Sequence, residues 1–212
     1  MTYAVKEVFY TLQGEGAQSG RAAVFCRFVG CNLWSGRESD RPTAVCKFCD
    51  TDFLGTDGPD GGTFQDASAL AQKIEDTWAS NSALGKRFVV LTGGEPLLQL
   101  DKPLIDELHS RQFKVALETN GTIQAPEGID WICVSPKAGT KLTQREGDEL
   151  KLVFPQTDLQ PENCIDLVFR HFFLQPMDGP HKERNTENAV RYCLQNPQWR
   201  LSLQTHKLIG LR

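Results

Sequence analysis

Short apolar runs rich in β-branched and aromatic residues repeatedly break off into polar, glycine-bearing segments, with amphipathic stretches between them. AAVFCRFV (22–29) runs into GCN, FVVLT (88–92) into GGEP, KVALE (114–118) into TNG, DWICV (130–134) into SPKAG, and FRHFFLQ (169–175) into PMDG. Further strands are predicted at 3–10, before a TLQGEG turn, and at 149–154 and 200–204. Helices are predicted at 66–80, where Leu70, Ile74 and Trp78 recur at helical spacing, and at 103–111, 158–168 and 183–194. The polar stretch 32–45 and the breaker cluster GTDGPDGG (55–62) read as loops.

Strands alternating with helices give a parallel sheet whose strands are buried. At 212 residues, with about six such units, the chain falls short of the ~250 residues typical of a complete eightfold barrel. The expectation is one α/β domain over 1–212, built as an incomplete, about six-stranded parallel barrel. Its site belongs at the carboxyl ends of the strands, where the glycine-bearing segments fall.

The charge balance, −4, disfavours a broad footprint for nucleic acid. No apolar run approaches the ~20 residues of a membrane helix, and the N-terminal stretch lacks the pattern of a secretion signal. Seven cysteines, an odd number without such a signal, argue for thiols in a reducing, cytoplasmic compartment.

Cys46 and Cys49 form a C-x2-C pair, a spacing shared by zinc sites, dithiol couples and iron–sulfur sites. A third ligand has to come from upstream. Within the 22–29 strand, Phe25, Arg27 and Val29 share one face, while Cys26 and Phe28 share the other. Cys26 inside the apolar run packs as a small hydrophobe. Cys31 lies just past the strand end, so Cys31, Cys46 and Cys49 form the preferred set. Three thiolates would leave one iron of a 4Fe-4S cluster open to a small molecule. A zinc knuckle completed by Cys26 or a histidine remains the alternative at this point.

The chain resembles the radical S-adenosylmethionine superfamily, with Phe48 as the aromatic residue before the last cysteine. The fourteen residues between the first two cysteines depart from that superfamily's usual short spacing. They are similar to a variation found in the 7-carboxy-7-deazaguanine synthases. The resemblance to that family runs nearly end to end: TLQGEG, FCRFVGCNLW, CKFCDTDF, LTGGEPLLQ, ETNG, SPK, LQPMDG and QTHKLIGLR occur in order. Ser35 stands where the family usually has a cysteine after NLW.

The resemblance implies a partial barrel of the radical S-adenosylmethionine type, with the 32–45 loop as a cluster-binding insertion. It implies conversion of 6-carboxy-5,6,7,8-tetrahydropterin to 7-carboxy-7-deazaguanine and ammonia, for 7-deazapurine and queuosine synthesis. Cys31, Cys46 and Cys49 would hold the 4Fe-4S cluster. Phe48, Asp50, Gly94, Ser135, Pro136, Lys137, Gln175, Pro176, Met177 and Asp178 would hold S-adenosylmethionine. Leu12, Gln13, Gly14, Arg27, Thr92 and the carboxylate of Arg212 would meet substrate, and Thr51 would join a magnesium ion. Glu118, Asn120 and His206 also fit the family pattern, without an assigned role. A homodimer and a flavodoxin electron donor complete what the resemblance implies.

Arg27 is informative in its own right. A guanidinium within FCRFVG needs an anion, either a substrate carboxylate held bidentate or an internal acid. Two rival functions stand beside the deazaguanine reading. One is an activase that installs a glycyl radical, for which the short cysteine spacing is expected. The other is a non-enzymatic zinc- or iron–sulfur-binding module.

Overall fold

A computed structural model describes residues 1–79 and 85–211. Nine strands form one sheet in the order β3-β1-β2-β4-β5-β6-β7-β8-β9. Its strands are β1 (Tyr3–Leu12), β2 (Ala22–Phe28), β3 (Gly62–Phe64), β4 (Phe88–Gly93), β5 (Lys114–Thr119), β6 (Trp131–Val134), β7 (Glu146–Phe154), β8 (Val168–Pro176) and β9 (Trp199–Leu201). From β2 to β9 every pairing is parallel, whereas β1 runs antiparallel to both β2 and β3. The sheet is open, since β3 and β9 lie at opposite ends of the order. The expectation of about six strands is thus corrected to nine. The glycine-rich breaker cluster hides the three-residue β3, and an antiparallel hairpin precedes the parallel run.

Residue parity sends the two sides of each strand to different surroundings. Val24, Cys26 and Phe28 of β2, Val89 and Leu91 of β4, and Val115 and Leu117 of β5 pack on α1 (Ala67–Ala79) and α2 (Lys102–Ser110). The predicted stripe of α1 is the buried one: Leu70, Ala71, Ile74 and Trp78. Asp101 caps α2, accepting from Leu104 N at 3.2 Å, with Pro103 in the first turn, where its missing N–H costs nothing. Leu150, Leu152 and Leu174 form a second cluster with Ala189 of α3 (Lys182–Gln195).

The opposite face is layered. Ala23, Phe88, Val90 and Ala116, joined by Phe25 and Trp131, make an apolar floor. Above it the next residues on the same face are Arg27, Thr92 and Glu118.

The predicted helix at 158–168 is a short 3-10 turn, Pro161–Cys164. Pro161 is tolerated only in a first turn, and β8 begins at Val168, so a longer helix has no room. A β-bulge between Val5 and Glu7 was not foreseen. It keeps Val5 and Val8 together on the helix side and turns Lys6 toward the 52–57 loop. There the Lys6 ammonium donates to Leu54 O and Asp57 Oδ1, both at 2.8 Å.

Candidate active site

A cavity of about 400 Å³ opens at the carboxyl ends of the strands. Eighteen of the sequence-predicted site residues line it: Leu12, Gln13, Gly14, Arg27, Cys31, Cys46, Phe48, Cys49, Asp50, Thr51, Thr92, Gly94, Ser135, Lys137, Gln175, Pro176, Met177 and Asp178. Glu118, Asn120 and His206 line it too. Pro136 does not; it is buried beside the cavity, its carbonyl accepting from Gln156 Nε2 at 3.2 Å. Arg212 lies outside the described residues.

The fourteen residues between Cys31 and Cys46 fold back on themselves. Leu33 O accepts from Val45 N at 3.1 Å and Cys46 N at 3.2 Å, while Leu33 N donates to Cys31 Sγ at 3.4 Å. A 3-10 turn, Glu38–Thr43, caps the excursion, and Arg41 stacks 3.9 Å above Trp34. Ser35 donates to Asp40 Oδ2 at 2.6 Å, so at this position a hydroxyl closes the loop. All seven cysteines are thiols, and Cys26 is fully buried in the helix-side core, off the cavity. Among the described residues no three His, Cys, Asp or Glu side chains converge on a single ion. Cys31, Cys46 and Cys49 nevertheless all line the one cavity. Burial pushes the Cys31 and Cys49 thiols up from their ordinary range.

Beside them, Lys137 donates to Ser135 O and Oγ, both at 2.7 Å, and lies 5.8 Å from the Phe48 ring centroid. Burial pulls its ammonium down, opposed by Cys46 and Cys49. Gly94 sits where a Cβ would collide with Gly30 O, so only glycine lets these two strand ends approach. Glu95 of the same motif points away from the cavity and is fully buried. It accepts from Thr119 Oγ1 at 2.8 Å, Asn120 N at 2.8 Å and Leu97 N at 3.0 Å, stapling the ends of β4 and β5. Burial raises its carboxyl, against those three donors.

Arg27 Nε donates to Glu7 Oε1 at 2.8 Å. The internal acid of the two sequence readings is therefore present. Both residues face the cavity, and a guanidinium has further N–H donors to offer a second anion. Gln13 is engaged on both sides: Nε2 donates to Glu118 Oε1 at 2.8 Å, and Oε1 accepts from Glu15 N at 3.1 Å.

Several lining residues escaped the sequence reading: Glu7, Glu15, Lys151, Gln204 and Lys207. Lys207 of α4 (Thr205–Leu208) donates at 2.6 Å to both Asp50 Oδ2 and Asp178 Oδ2. Its hydrogen bond holds the Asp178 carboxyl down at about 2. The turn after β1 reaches across the sheet. Gly16 N donates to Ser202 Oγ at 3.0 Å, Ala17 N to Glu149 Oε2 at 2.9 Å, and Thr205 N to Gly14 O at 2.9 Å. Gly16 has φ +62°, and a Cβ there would strike Glu149 Oε1. Glu149 and Lys151 alternate with Leu150 and Leu152 in ELKLVF, and that parity was the available signal for Lys151.

No family model matches the chain. Full-length relatives do. The 7-carboxy-7-deazaguanine synthase of Bordetella pertussis is 63% identical over 211 residues, covering 100% of both chains. That of Bradyrhizobium diazoefficiens is 62% identical over 212 residues, again covering 100% of both. Among solved structures, QueE from Escherichia coli superposes with a TM-score of 0.68 at 26% identity, covering 97% of this chain and 95% of that one. An α/β sheet, a cavity at its strand ends and full-length identity of this order lead to one conclusion: the chain belongs to the 7-carboxy-7-deazaguanine synthase family of enzymes.

Proposed function

We propose that this chain is a radical S-adenosylmethionine lyase that converts 6-carboxy-5,6,7,8-tetrahydropterin to 7-carboxy-7-deazaguanine and ammonia. The observation that carries the reading is the meeting of Cys31, Cys46 and Cys49 with Arg27 and the Leu12–Gly14 turn around one cavity. Product and ammonia together account for every atom of the substrate, so the conversion needs no net oxidant.

The three thiolates would hold a 4Fe-4S cluster with one iron open. When bound, the cluster and S-adenosylmethionine supply the one-electron bond cleavage that starts radical chemistry. The chain's own residues bind and orient. Gly94 leaves backbone room for the cofactor's amino end. Phe48, Asp50, Ser135, Pro136 and Lys137, with Gln175, Pro176, Met177 and Asp178, surround the rest of it. Arg27 presents its remaining N–H donors to the substrate carboxylate, beside Thr92. Leu12, Gln13 and Gly14 flank the heterocycle. Thr51 offers a magnesium ion one neutral oxygen, a weak donor for a hard cation, so substrate oxygens must complete that sphere.

The wider proposal is a single domain whose sheet curves as a partial barrel, acting as a cytoplasmic homodimer reduced by a flavodoxin. The bonds from the 14–17 turn to Glu149, Ser202 and Thr205 support the curvature, because they span the sheet's open side. No helix among the described residues is long and apolar enough to cross a membrane.

The test is an anaerobic assay of reconstituted protein with dithionite, S-adenosylmethionine and 6-carboxytetrahydropterin, with and without magnesium, read by mass spectrometry. A deazaguanine carboxylate is expected. Cleavage of S-adenosylmethionine to 5′-deoxyadenosine without that product would point to an activase. Neither product from a protein with an intact cluster would favour a binding module.

A further inference from the structure

The cavity floor holds a buried charge cluster that the reading above leaves without a task. Lys151 of β7 is 4% exposed. Its ammonium pairs with Glu15 Oε2 and lies 3.6 Å from Glu118 Oε2. The second oxygen of each carboxylate is also engaged, Glu118 Oε1 by Gln13 at 2.8 Å and Glu15 Oε1 by Gln204 at 3.0 Å. Glu149 lies on the same face of β7, two residues before Lys151. Two strands, β5 and β7, and two loops thus contribute to one charge cluster.

Stability does not call for charge here. Burying an ion cluster carries a desolvation penalty for each ion, and apolar side chains of similar volume often do as well or better. One layer deeper on the same face, the sheet fills its interior with Phe88, Val90 and Ala116. The change from apolar to charged falls where the cavity begins, which points to a ligand. A lysine offers three donors and no acceptor, while each carboxylate oxygen has two lone pairs. An ammonium between two carboxylates therefore fixes their orientation, and each oxygen, though already engaged once, keeps a second lone pair.

Resting on the pterin reading above, we propose that Lys151 is a positioning residue. It holds Glu15 and Glu118 as a paired acceptor that selects a heterocycle edge carrying a ring N–H and an amino group. A 2-amino-4-oxo pteridine presents two donors on that edge. The 2,4-dioxo analogue presents a carbonyl in place of the amino group, which faces the carboxylates with lone pairs.

The probe is equilibrium binding of 6-carboxypterin and 6-carboxylumazine, read by their fluorescence, to the full chain. Wild type is expected to prefer the pterin. Lys151→Met should weaken 6-carboxypterin about 10- to 100-fold, the range for losing hydrogen bonds to charged groups, and erase the preference. Lys151→Arg should retain part of it. Should Lys151→Met fail to fold, Lys151→Gln keeps a neutral donor between Glu15 and Glu118 and carries the same expectation. Wild-type discrimination surviving in either folded variant overturns the role of Lys151 alone. Failure of wild type to bind 6-carboxypterin at all would instead bring down the pterin reading.

Discussion

Cys26 and Arg27 are chain neighbours in β2, yet they inhabit different chemistries. Cys26 is fully buried among Val24, Phe28 and the side chains of α1 and α2. Arg27 faces the cavity and pairs with Glu7. The contrast recurs along the sheet: Leu117 against Glu118 in β5, and Leu150 and Leu152 against Glu149 and Lys151 in β7. One face is filled by shape and apolar area, the other, above its apolar floor, by paired charge. Changes on the first should register as stability, and changes on the second as binding and turnover.

The sharpest way to break that division is a pair of cysteine substitutions. Cys46→Ala should abolish cluster assembly and product formation, read as bound iron and product by mass spectrometry. Cys26→Ala should keep the cluster and cost about 1 kcal/mol for a small cavity, read by chemical denaturation. Loss of bound metal in Cys26→Ala would mean that the helix side takes part in the chemistry. Next in size, Leu117→Ala should destabilise the fold by about 2–5 kcal/mol. Its neighbour Glu118→Gln should leave the denaturation midpoint nearly where it was and weaken 6-carboxypterin binding.

Glu95 tests the seam between the faces. Glu95→Gln sets an amide N–H₂ against one of three donors, an expected cost of about 1–3 kcal/mol. The last test is a pH slope. Burial works to raise the Glu15 carboxyl, but Lys151 outweighs it and holds the group at about 2 against an ordinary 4.5. A carboxyl depressed in the fold stabilises it above the unfolded value and loses that contribution as pH falls through the folded one. Stability should therefore decline from about pH 4.5 toward pH 2, and Glu15→Gln should flatten that part of the curve. An unchanged slope would mean that the pair contributes nothing to folding.

The same division explains what was legible. FVVLT and KVALE declare their strands because alternate residues meet two buried layers, and Leu70, Ile74 and Trp78 declare α1. That Cys31, Cys46 and Cys49 line one cavity while Cys26 does not was readable from strand parity together with the ordered motifs. The partner of Arg27 was not. Which β1 residue faces it depends on the bulge at Val5 and Glu7, and one extra residue reverses the parity beyond it. The helix expected at 158–168 failed because Pro161 limits it to one turn. Lys207 gave no warning at all. Its partners lie 157 and 29 residues away, and nothing local in THKL marks a residue that joins Asp50 to Asp178.

The turn that reaches from β1 to the far strands has a consequence for synthesis. Gly16 waits for Ser202 across 186 positions, and Gly14 waits for Thr205 across 191. Cys31, Cys46 and Cys49 stand within the first fifty residues, but the bonds of this turn need the segment around Ser202 and Thr205. Loop closures of that span come late and slowly. During synthesis these three thiols therefore emerge well before the partners that anchor the cavity-lining Gly14 turn.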